Sequence, residues 1–290
     1  MNFNDLLHAK NIDPKQVLVL RHSPEEANLR KVLPWLAAER PELFNAYQQT
    51  QGEKVEKAMK RASHVASFIG HEPRKAIFVG LYSIGETEYL TRENFWHVPA
   101  YAELQGFGMS AFTKDTRTSV LFFHLALMEF YSSWKGKLIV DWPSPEVSWW
   151  RWAGQNTLPI RAILEDSALD SAMPDWKEIV LRWEELAILP TRWKHKLSEW
   201  RGIYFILDSS DGKSYVGSAY GDSNLLGRWL NYGATGHGGN SSLRNRDPKN
   251  FRFTILQRVS PDMKAEEVIR LEESWKLRLH TRSPRGLNEN

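Results

Sequence analysis

Two tripeptides in mirrored order, Gly202-Ile203-Tyr204 and Tyr215-Val216-Gly217, stand ten residues apart in this chain. The first opens the alternating run "GIYFILDS" and the second lies in "SYVGSAY", each with the period of a strand. Between them Asp211-Gly212 is a hairpin turn signal. Two antiparallel strands so joined bring Tyr204 and Tyr215 close together. They do so on a sheet whose small Gly202 and Gly217 allow another backbone, or a phosphate, to approach closely. Tyrosine is a common strand residue and glycine commonly ends a strand. Either tripeptide alone therefore says little, and the pair at this spacing says more.

The arrangement resembles the GIY-YIG nuclease family, with Val216 in place of the central Ile of the second tripeptide. The rest of that family's pattern follows in order. It implies an Arg on the next helix with a Tyr or His one turn later. "DSNLLGRWLNY" offers Asp222 or Ser223 as N-cap, then Arg228 and Tyr232, whose i, i+4 spacing places them on one helix face. The glycine-rich "GATGHGGNSSL" adds His237 as a second occupant of the His role at a different spacing. The resemblance next implies a helix with one metal-binding Glu, and "KAEEVIRLEESWKLRLH" carries Glu272 and Glu273 side by side. At about 100° per residue, Val268, Leu271, Trp275 and Leu279 form an apolar stripe. Glu272 falls within its edge and Glu273 lies more than about 100° from its centre. A carboxylate on a buried face is costly unless a cation or donors satisfy it, which selects Glu272. A carboxylate merely paired with an Arg is the plainer reading of the same residue. Finally, "RSPRGLNEN" gives Pro284 and then Asn288, or Asn290, for the family's Asn, which bridges sheet and helix by hydrogen bonds.

The roles implied by the resemblance are those of phosphodiester hydrolysis. One carboxylate, Glu272, implies one divalent ion, Mg²⁺ or Mn²⁺. Arg228 would grip the phosphate with paired donors. Tyr204 would serve as general base with help from Tyr232, a neighbouring cation or a metal-bound water, because a free phenol has a pKa near 10. Tyr215 would orient water or phosphate. Lys213 could supply the helping field, and as a solvated turn lysine it would do nothing of the kind. Asn288 and His237 are further candidates for supporting the site.

The elements needed to position these residues are those of an α+β chain. After Trp200 the pattern reads strand, turn, strand, helix, loop, strand, helix, a small antiparallel sheet flanked by helices. This organisation gives an N-terminal mixed α/β region over 1–169, a bridge of strand and helix over 170–200, and the nuclease-like region over 201–290. In the first region "QVLVLRHS", "HVASFIG", "KAIFVGLYSIG" and "GKLIVDW" read as strands, and "SVLFFHLALMEFY" fits a strand or a buried helix equally. The mix of short strands resembles PUA-like base-reading domains. Trp142, Trp149, Trp150 and Trp152 cluster after a strand. Core packing explains such a group most simply, and an aromatic pocket that stacks an extruded or modified base is the functional alternative.

Composition agrees with a folded chain. Of 290 residues 42% are hydrophobic and 25% charged, and no apolar run reaches the length of a membrane span. Cysteine is absent, which excludes disulfides, thiol catalysis and Cys-ligated zinc. With no secretory pattern in "MNFNDLLHAKNIDPK", a cytoplasmic location is expected. The net charge is only +3, but residues 192–290 hold 17 Lys/Arg against 11 Asp/Glu, while the stretch 165–185 is acidic. A basic C-terminal third suits a polyanion partner, and solvated surface charge accounts for it equally well. The expected activity is therefore a DNA endonuclease whose N-terminal region selects DNA in restriction or defence, with a homodimer suited to cutting both strands. The alternatives are a non-catalytic nucleic-acid-binding protein on a nuclease scaffold and a structure-specific repair nuclease.

Overall fold

The computed structural model describes residues 1–111, 116–145, 148–170, 173–221 and 224–289. Chain packing divides it into two compact units, Met1–Ser171 and Ala172–Asn290. Both are mixed α and β. Among the described residues no helix is long and apolar enough to cross a membrane.

The first unit runs α1 (Phe3–Ala9), β1 (Val17–His22), α2 (Ala27–Glu39), α3 (Pro41–Gln49), α4 (Glu53–Met59), β2 (His64–Gly70), β3 (Lys75–Thr91), α5 (Arg92–Phe95), α6 (Pro99–Gly106), β4 (Ser119–Leu127), β5 (Leu138–Asp141), β6 (Trp150–Trp152) and β7 (Ile160–Ile163). Its seven strands form one sheet in the order β6-β1-β2-β3-β5-β7, with β4 also on β3. The long β3 pairs with β5 through its first residues and with β4 from Tyr82 onward. β1 is buried on both faces, as its unbroken "VLVL" requires. Val17 and Val19 join a core with Phe3, Phe68, Phe78 and Val140, while Leu18 and Leu20 join another with Met59, Val65 and Phe123. The ambiguous "SVLFFHLAL" is a strand, β4, because β3 offers it a partner from Ser119 to Leu127.

The second unit contains β8 (Val180–Arg182), α7 (Thr191–Glu199), β9 (Arg201–Asp208), β10 (Ser214–Ala219), α8 (Asn224–Thr235), β11 (Phe251–Val259) and α9 (Ala265–Arg278). Its antiparallel sheet has the order β10-β9-β11-β8. The stretch 170–200 is thus no mere bridge. β8 pairs with Arg252–Thr254 at the edge of this sheet, and Leu186, Leu189 and Leu197 enter its core. The β9–β10 turn is built as expected. Gly212 holds φ +75°, and Arg246 clamps Asp208 at 2.6 Å and Asp211 at 3.0 Å.

The two faces of this sheet are covered differently. Tyr204, Ile206 and Ala219 face Leu225, Trp229 and Tyr232 of α8. Ile203 and Val216, on the opposite face, meet Val268 of α9.

Candidate active site

Tyr204 on β9 lies directly opposite Gly217 on β10. A Cβ on Gly217 would stand 2.5 Å from Tyr204 Cζ and 2.9 Å from Tyr215 Cε1. A Cβ on Gly202 would collide with the Gln257 carbonyl, where β11 bulges against β9. The space expected for a backbone or a phosphate is therefore filled by protein, by backbone at Gly202 and by the Tyr204 ring at Gly217.

Three tyrosines converge. The Tyr204 hydroxyl is 3.2 Å from that of Tyr232, and the Tyr204 ring centroid is 6.1 Å from Tyr232 and 6.4 Å from Tyr215. Tyr232 comes from α8 as its spacing predicts. Its backbone carbonyl accepts from Trp183 Nε1 at 2.9 Å, and Gly238, at φ +57°, lies against its ring. Burial pushes the Tyr204 hydroxyl well above the ordinary phenol range. Tyr215 adds to that rise, the Tyr232 hydrogen bond and the Arg228 guanidinium oppose it, and Glu272 adds to it. Tyr232 is raised too, first by burial and then by its two phenol neighbours. Tyr204 is thus a neutral hydroxyl in the folded chain. Burial penalises the tyrosinate, so a general base at Tyr204 would need more help from its neighbours than a free phenol does.

Arg228 lies one turn before Tyr232 on α8, exposed, and no hydrogen bond or ion pair to its guanidinium is found among the described residues. Its fork is available to a ligand. Lys213 stands at the far end of the hairpin, four residues before Gly217 and thus about 13 Å along the strand. That placement does not suit it to supply a field at Tyr204. His237 is engaged within its own loop, where Nδ1 accepts from the Gly239 amide at 3.0 Å, and Tyr232 holds the position beside Tyr204. The proposed caps Asp222 and Ser223, and Asn290, lie outside the described residues.

Glu272 arrives from the other face. α9 is buried along Val268 and Lys276, and Leu279, placed in the apolar stripe, is exposed because the helix ends at Arg278. Glu272 sits between those two buried turns, as expected. Its Oε2 accepts from Ser218 Oγ on β10, and its Oε1 is 2.8 Å from Lys276 Nζ. Its partner is therefore a Lys and a Ser rather than an Arg. Glu273 pairs with Lys276 at 2.7 Å and with Arg282. Asn288 is buried and structural. Its side chain donates to the Val216 carbonyl at 2.8 Å and accepts from the Val216 amide at 2.9 Å, pairing the outward edge of β10.

Among the described residues no group of three or more His, Asp or Glu side chains could cage a metal. A single carboxylate suits a divalent ion that keeps most of its water, and Glu272 would be its protein ligand. Ser218, and Lys276 as a partner of Glu272 rather than of Glu273, escaped the sequence reading. The i+4 spacing of Lys276 from Glu272 was a usable signal, whereas Ser218 is distinguished only by its alternation with Gly217.

The tryptophans separate in the first unit. Trp142 is a core residue, 1% exposed, with its Nε1 donating to the Ser148 carbonyl and the Arg21 and Arg151 guanidinia over its ring, so it offers no stacking face. Trp150 and Trp152 are half-buried along the outer strand β6, and Arg61 lies over Trp152. Trp149 lines a cavity of about 540 Å³, which also includes Tyr47, Phe95, Glu25, Glu26 and Arg117, while Trp152 and Trp142 border smaller hollows of about 290 and 250 Å³.

No family profile, curated protein or solved structure matches this chain.

Proposed function

We propose that this chain is a divalent-metal-dependent DNA endonuclease of the GIY-YIG type whose first unit selects the DNA it cuts, as in restriction of foreign DNA. The observation that carries the reading is the convergence of the Tyr204, Tyr215 and Tyr232 rings on one face of the sheet, with Arg228 one turn before Tyr232 on α8 and Glu272 bound to Ser218, the residue next to Gly217. Arg228 presents an unengaged planar fork to a phosphate. The neutral Tyr204 hydroxyl, braced by Tyr232, holds the attacking water in line. Tyr215, half-buried beside it, contacts the water or a non-bridging oxygen. A divalent ion at Glu272 would add charge relief on the phosphate and acidify water. Asn288 contributes rigidity by fixing β10.

In the first unit, the cavity beside Trp149 has aromatic walls, a feature suited to an extruded base. The Glu272 carboxylate is already engaged by Ser218 and Lys276, and this favours a second reading, a nucleic-acid-binding protein on a nuclease scaffold. Supercoiled plasmid incubated with and without Mg²⁺ or Mn²⁺ separates the two. The panel should include plain, methylated, hydroxymethylated and glucosylated DNA. Metal-dependent nicking of any member supports the endonuclease. Retardation of DNA in gels with no nicking across the panel would establish the scaffold instead.

A further inference from the structure

We propose that Lys276 is the resident counter-cation of Glu272, holding the carboxylate until a divalent ion takes it, and that Glu273 retains the ammonium afterwards. The inference rests on reading Glu272 as the metal ligand. Lys276 Nζ lies 2.8 Å from Glu272 Oε1 and 2.7 Å from Glu273 Oε1. The Lys276 and Glu272 side chains are 10% and 15% exposed, so the pair is largely withdrawn from water, while Glu273 is 39% exposed. With Ser218 on the other oxygen, both Glu272 oxygens are engaged.

Two physical consequences follow. A carboxylate this buried and lacking a counter-charge is costly, and Lys276 removes that cost in the metal-free chain. An ammonium and a hydrated divalent ion cannot both hold Oε1, because they repel and compete for the same lone pairs. The ammonium need not return to water when displaced. Glu273 already binds it from the adjacent position on α9, and Arg282 keeps Glu273 in place. Lys276 therefore needs only to release one of two carboxylates. Metal binding to the free chain must offset the lost Glu272–Lys276 contact, and a nucleic-acid phosphate in the site supplies compensating negative charge. The ion is thus taken up together with the nucleic acid rather than before it.

The test is Mn²⁺ titration of the full chain without DNA, read by the electron-paramagnetic-resonance signal of free Mn²⁺ and by the thermal midpoint. Lys276→Met, which keeps the buried stem, should bind Mn²⁺ tighter by about tenfold or more. Its midpoint should fall without metal and recover with it. Glu273→Gln should change affinity in the opposite direction, because Lys276 loses its second carboxylate. Arg282→Met removes a nearby positive charge that does not touch Glu272, and should change affinity by less than about threefold. If Lys276→Met does not fold, Lys276→Gln is compared in its place. The proposal is overturned if the Lys276 variant binds no tighter than Arg282→Met, or if Mn²⁺ leaves its midpoint unchanged. Glu272→Gln distinguishes the two levels. Loss of Mn²⁺ binding in that variant with no tightening in Lys276→Met defeats the proposal alone. Unchanged binding in Glu272→Gln defeats the metal-ligand reading and the proposal with it.

Discussion

The Tyr204 ring occupies the volume that a side chain on Gly217 would need: a Cβ at position 217 would lie 2.5 Å from Tyr204 Cζ. The glycine of the second tripeptide is thus fixed by the tyrosine of the first. Gly217→Ala should displace Tyr204, lower stability by about 1–3 kcal/mol and abolish cleavage. Gly221→Ala, where an added Cβ meets nothing within 4 Å among the described residues, should do neither. Thermal melts and plasmid nicking on both variants check this.

Arg228→Lys keeps the charge and loses the fork. Nicking should fall on the order of a hundredfold, with DNA affinity at low salt nearly preserved. The melting temperature should not move, because the guanidinium is exposed and makes no hydrogen bond among the described residues. Turnover near that of the parent chain would reduce Arg228 to a general positive field.

Glu272→Ala should stop cleavage while leaving DNA binding intact, since it removes no phosphate contact. Glu273→Ala should retain cleavage at saturating metal, with a weaker apparent metal affinity, because Glu273 pairs with Lys276 and Arg282 while Ser218 hydrogen-bonds Glu272. An inactive Glu273→Ala beside an active Glu272→Ala would reverse the assignment of the two carboxylates.

Residues 172–290 carry every proposed catalytic side chain and a core of their own. Expressed alone, they should fold and nick DNA with steep salt dependence and no preference among modified substrates. The preference should follow residues 1–171. Full selectivity in the isolated second unit would remove the first from substrate choice.

The first unit should weaken in acid through His22. Burial holds this imidazole neutral and lowers its pKa to about 4, with a Gln48 hydrogen bond opposing. Unfolded, it titrates near 6.5. Below that pH the unfolded chain binds the extra proton, so stability is lost as pH falls from about 6.5 and the loss levels off below about 4. Its full extent is on the order of 3 kcal/mol. Denaturant melts of the parent and His22→Gln from pH 7 to pH 4 should diverge in slope, the variant being flatter.

The hairpin was legible because two tyrosines, two glycines and Asp211-Gly212 are local signals read within about twenty residues. The Arg228/Tyr232 face and the burial of Glu272 were legible through helical period alone. The partners of Glu272 were harder to foresee. Ser218 reaches it from 54 residues away, and only the packing of α9 on β10 brings them together. The strand Val180–Arg182 looked like part of a bridge because its sheet partner, β11, lies some seventy residues onward. Among four neighbouring tryptophans, composition could not separate Trp142 in the core from Trp149 at a cavity, because Tyr47 and Phe95 reach that cavity from distant helices.

The side chain of Asn288 pairs the outward backbone of Val216, 72 positions earlier. During synthesis the hairpin therefore leaves the ribosome with its edge strand open, and it stays open until that asparagine has been added. A chain interrupted upstream of position 288 carries the tyrosines and Arg228 but has an unlatched β10, a free edge that invites pairing with other chains. Closure of this edge is in this way deferred until the segment around Asn288 has been made, and a shorter product keeps a strand edge open to other chains.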